Sequence, residues 1–159
     1  MKPSYPFETT GVLELVGKDE QIDNGDLSAA VSATTIKASV EFTRFMFYMT
    51  EEKADGGDIL YPAGYLLIFT ADPGHSSGET GSNITAAMWQ TCVGIVKVTA
   101  GDWMQETNAA VADIKDQLIQ VHGCGTLYFV WLHADATSIN SVAADDEVLD
   151  FQAWYLRYS

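Results

Sequence analysis

Positive charge is what this sequence most lacks. Eight Lys and Arg stand against 22 Asp and Glu, a formal net charge of -14, and the eight are spread singly from Lys2 to Arg157. Neutralising phosphates takes clustered cations, so the composition argues against nucleic acid as a partner and, for the same reason, against an anionic membrane surface. The carboxylate excess instead keeps an apolar chain soluble. Cysteine is scarcer still: Cys92 and Cys124 form no spaced framework and read as buried free thiols, with a disulfide as the other reading. His75, His122 and His133 stand in no HxxxH or HxH pattern, which supplies no ligand set for a metal. No apolar run is long enough to cross a bilayer. Residues 1–6 carry one Lys with no apolar stretch behind it, so synthesis in the cytoplasm without a secretory leader is expected. Nor is there a GxSxG elbow, a Walker loop or a GxGxxG turn, and Gly74-His75-Ser76-Ser77-Gly78 has loop composition only. The expectation is a protein that is not an enzyme, with no catalytic, cofactor-binding or metal-binding residues.

What is abundant is apolar: 47% of 159 residues, enough to build the core of one domain. These residues gather in strand-like runs at 40–50, 65–69, 127–132 and 151–156 whose two alternating faces are both apolar. In the first run one parity reads Val40, Phe42, Arg44, Met46, Tyr48 and the other Glu41, Thr43, Phe45, Phe47, Met49. A strand with one wet face alternates apolar with polar. The doubling therefore predicts strands covered on one side by a second sheet and on the other by a partner subunit or another layer. Further runs at 12–16 and 88–98, a small and β-branched segment at 27–38 that is strand or loop, and turn signals at 23–26 and 61–64 complete six or seven strands without βαβ alternation, the last strand extending over 148–158. That predicts an all-β fold, an antiparallel β-sandwich with jelly-roll-like connections. Val111, Ile114, Leu118 and Val121 recur at helical spacing, which suggests one short helix over 107–121. Two short strands broken near 113–116 are the alternative. Pro3, Pro6, Tyr5 and Phe7 mark residues 1–10 as an extended arm suited to lying on a neighbour, ahead of a single sandwich domain at 11–159.

The carboxylates Glu51, Glu52, Asp55, Asp58 and Asp145, Asp146, Glu147, Asp150 read as solvated acidic loops, with a structural cation as the alternative. Of the four tryptophans, Trp89, Trp131 and Trp154 lie in apolar runs and read as core or interface. Trp103, after Gly101-Asp102, is the one placed like a ligand platform. Asn83-Ile84-Thr85 matches a glycosylation acceptor by accident of composition.

The small acidic chain, its Pro-rich N-terminal arm, the jelly-roll-like strand order and the turn Lys97-Val98-Thr99-Ala100-Gly101-Asp102-Trp103 resemble capsid decoration (cement) proteins of tailed bacteriophages. The resemblance implies a structural virion protein, made in the host cytoplasm. It would be a homotrimer that binds the outer capsid surface at local three-fold positions and clamps neighbouring major capsid protein subunits. Tyr5, Phe7, Trp103 and Trp131 are the expected capsid or subunit contacts. The alternative is a jelly-roll carbohydrate- or receptor-binding module that touches a glycan through Trp103 and the long loops. A cupin-like enzyme would need the histidine spacing that is missing.

Overall fold

The computed structural model describes residues 7–33, 39–51, 59–106, 109–123, 125–141 and 146–158. Its strands are β1 (Phe7–Thr9), β2 (Leu13–Val16), β3 (Val31–Ala33), β4 (Ser39–Glu51), β5 (Gly64–Phe69), β6 (Cys92–Val98), β7 (Trp103–Glu106), β8 (Ala109–Ile114), β9 (Ile119–Val121), β10 (Leu127–His133) and β11 (Glu147–Tyr158). One sheet runs β1-β11-β4-β8-β7, with β2 beside β11 and β9 beside β4, and the other runs β3-β10-β5-β6. All pairings are antiparallel. From β2 the chain crosses between sheets to β3, to β4 and to β5, stays for β6, and then crosses again to β7, to β10 and to β11. This is the jelly-roll sandwich that the strand pattern predicts.

Aromatic side chains fill the space between the sheets. Phe129 of β10 meets Phe151 of β11 at 5.0 Å between ring centroids and Phe42 of β4 at 6.2 Å. Trp131 meets Phe47 at 5.8 Å. Such rings dominate core energetics because each removes a large apolar area from water.

The doubled apolar faces of β4, β5 and β10 have two explanations within the chain. In β4, Trp154 pairs with Arg44 and Tyr155 with Phe42, so Thr43 is an extra, unmatched residue, a β-bulge. The bulge changes the parity of the strand. Val40 and Phe42 face the core before it, and Phe45, Phe47 and Met49 face the same core after it. In the small sheet the outer side chains Leu67, Phe69 and Val130 are buried under the chain's own Leu27, Ile84, Met88 and Trp89. The Trp89 ring stands 5.9 Å from that of Phe69.

Three further expectations are corrected. Residues 109–114 and 119–121 are strands, as in the alternative reading, because Ala110 and Ala112 face the core while Leu118 is 78% exposed. The helical stripe missed this because its inward residues are alanines. The run at 88–98 begins as strand only at Cys92, after the short helix α1 (Ala86–Trp89), whose N-terminus is capped by Thr85 Oγ1 accepting from Met88 N at 3.3 Å. Phe7–Thr9, placed in the arm, pair with β11 of their own sheet. Residues 1–6 lie outside the described residues.

Candidate binding face on the large sheet

The bulge at Thr43 decides which side chains leave the core. Beyond it Arg44, Met46 and Tyr48 point outward from β4, beside Gln152 and Trp154 of β11 and Val111 and Asp113 of β8. Arg44 is held on three sides. Its Nε and Nη2 donate to Asp113 Oδ1 and Oδ2, both at 2.8 Å, Nη2 lies 3.5 Å from Met46 Sδ, and the guanidinium stands 4.9 Å from the Trp154 ring centroid. A bidentate guanidinium over an indole is a rigid, amphipathic surface. The Arg44 hydrogen bonds hold the Asp113 carboxyl below the usual carboxylate range. Beside them the Tyr48 hydroxyl lies 3.5 Å from Gln152 Oε1 and 3.6 Å from Met46 Sδ.

Two large apolar side chains flank this centre in the open. Phe7 on β1 is 65% exposed and Met104 on β7 is 63% exposed. Between β1, β4, β11 and the β8–β9 turn lies a cleft of about 430 Å³ lined by Phe7, Thr43, Arg44, Lys115, Asp116 and Trp154. The turn beneath it is fixed by Gln117 N donating to Thr43 O at 3.0 Å, and Asp116 there has a left-handed φ of 58°. Further along the same face Asp150 lies in register between Tyr48 and Glu14 of β2. Burial, and then the Glu14 charge, push the Asp150 carboxyl above its ordinary value.

Of the expected contact residues, only Phe7 reaches this surface. Tyr5 lies outside the described residues. Trp103 is 9% exposed and donates from Nε1 to Pro62 O at 2.9 Å. The turn before it, Ala100–Asp102, closes with a capping box, so that Trp103 opens β7 on the inward parity, opposite Ala112. It is a core residue and not a ligand platform. Trp131 is wholly buried, with Nε1 donating to His133 Nδ1 at 3.3 Å and His133 Nε2 in turn donating to Thr137 O at 2.8 Å. The tryptophan that does stand on a surface beside a cleft is Trp154. Its parity with Asp150 and Gln152 was the available signal.

Of the two carboxylate groups, Glu52, Asp55, Asp58 and Asp145 lie outside the described residues. The buried Glu147 carboxylate accepts from Asn140 N at 2.6 Å, while Asn140 Nδ2 donates to Gly17 O, Glu20 O and Glu147 O. His75 Nε2 donates to Ser28 O. Cys92 is a half-buried free thiol whose pKa burial pushes up, and Cys124 lies outside the described residues. Among the described residues, no three His, Cys, Asp or Glu side chains converge as a metal site. No known protein family matches the chain, and no curated protein matches it.

Proposed function

We propose that the protein is a structural virion protein that binds the outer surface of a tailed-bacteriophage capsid and stabilises contacts between major capsid subunits, attaching through the outer face of the large sheet. The observation that carries this reading is the pair of solvent-facing anchors, Phe7 and Met104, on either side of the ordered Arg44, Trp154, Tyr48 and Met46 centre. Aromatic, Met and Arg side chains are the types enriched where proteins bind proteins, and exposed apolar side chains on a sheet already buried on its other face mark such a surface. The jelly roll serves viral shells and lectins alike, so the fold supports the reading without deciding it. A homotrimer belongs to the same proposal.

The test mixes the purified protein with mature tailed-phage capsids and sediments the shells. The wild type should travel with them and Phe7→Ala should not, while both give the same thermal unfolding. A second reading, a glycan- or receptor-binding module, is favoured by the cleft in which Thr43 and Asp116 stand beside the Trp154 ring. Retention on immobilised polysaccharide, lost in Trp154→Ala, together with no retention on shells would replace the first reading by the second.

A further inference from the structure

Across the outer face one register row runs Val111, Tyr48, Asp150, Glu14. It passes from apolar to aromatic to two carboxylates set directly opposite one another on β11 and β2. Like charges in directly opposed positions of an antiparallel pair destabilise it. Among the described residues neither carboxylate is within ion-pair distance of a cation or accepts a hydrogen bond, and the cleft beside Glu14 holds Lys18 together with Asp19 and Glu20, a net negative surrounding. Elsewhere on this face the Asp113 carboxylate is paired, with Arg44 at 2.8 Å and Lys115 at 3.5 Å. Asp150 is only partly exposed, and its carboxyl is already harder to ionise than a free one.

A partner that covers Tyr48 and Met46 also covers Asp150. Two adjacent carboxylates taken out of water without a counter-charge oppose docking strongly, whereas a cation placed between them turns the same pair into the strongest electrostatic contact of the interface. We infer that the surface which docks on this face is a protein surface presenting a Lys or Arg side chain to Asp150 and Glu14, next to an apolar patch that meets Tyr48 and Met46. The inference rests on the docking reading above and adds the chemistry of the partner. A second copy of this chain fits this face less well, since its eight Lys and Arg are spread singly along the sequence.

Two probes test it on the full chain, mature tailed-phage capsids and a synthetic peptide of alternating Lys and Leu. The variants are Asp150→Asn with Glu14→Gln, and a control, Asp72→Asn with Glu79→Gln, on the loop over the small sheet. The expected result is that Asp150→Asn/Glu14→Gln melts at or above the wild-type temperature yet binds both probes at least about tenfold more weakly, with a flatter salt dependence. The control should bind as wild type. If Phe7→Ala abolishes capsid binding while Asp150→Asn/Glu14→Gln binds normally, the docking reading stands and the basic partner is overturned. Should no variant nor the wild type bind capsids, the shell reading falls, and the peptide decides the inference alone. Equal loss of peptide binding in the control and in Asp150→Asn/Glu14→Gln, or no loss in the latter, overturns it.

Discussion

Trp131 and Trp103 show how one residue type meets different demands. Trp131→Ala removes a wholly buried indole and should cost about 3–5 kcal/mol in chemical denaturation. Trp103→Ala belongs in the same range, because Trp103 is a core residue; a small cost would instead indicate an exposed turn. Trp103→Phe isolates the polar part, leaving Pro62 O without its donor, a loss of roughly 1–3 kcal/mol. Gly64 is required by the same packing. A Cβ there would stand 2.5 Å from both Leu132 O and Trp131 Cζ2, and neither atom can retreat. The carboxylates of the outer face give opposite pH behaviour. Asp113 has a lowered pKa, so its contribution is present above the unfolded-state value and is lost as pH falls through the folded-state value. Asp150 has a raised pKa, so its contribution is favourable in acid and is lost as pH rises through the folded-state value. Melting curves across the acid range should therefore show Asp113→Asn less stable than wild type at neutral pH and Asp150→Asn more stable there. That Trp131 belongs to the core was legible from its apolar neighbours, although the same signal at Trp154 marks a residue of the outer face. That Trp103 joins them depends on a capped turn setting its parity, which local composition does not show.

At the scale of elements, strand existence was legible and strand phase was not. The runs at β4, β5, β10 and β11 announce themselves by β-branched and aromatic residues. The unmatched Thr43, however, is seen only when β11 is laid beside β4, and without it both faces of β4 look apolar. The binding face has the same difficulty. Arg44, Asp113 and Trp154 come from three strands far apart in the sequence, and register alone brings them together. The loop that covers the small sheet makes its own prediction. Trp89→Ala should uncover Phe69 and Leu67, raising amide hydrogen exchange in β5 while leaving β11 protected. Phe7→Ala, by contrast, should change stability by no more than about 0.5 kcal/mol, because that ring already faces solvent on an edge strand.

For the whole molecule, the bulge accounts for the doubled faces of β4 and the chain's own loop for those of β5 and β10, while Trp154 and Leu156 of β11 stay on the outer face. Sedimentation of the free protein at rising concentration is the check on the proposed trimer. Stable monomers that associate only on a shell would keep the docking face and discard the trimer. One interior strand of each sheet, β10 and β11, comes after all its neighbours in the sequence. While the ribosome is still making residues 59–126, β3 and β5 wait for β10, and β4 waits for β11. The nascent chain thus emerges with apolar strands that lack their sheet partners, a state prone to joining other unfinished chains. Non-local pairing of this kind also folds slowly. The negative charge distributed along the sequence is already present in that interval, and mutual repulsion between growing copies gives each one time to receive its last two strands.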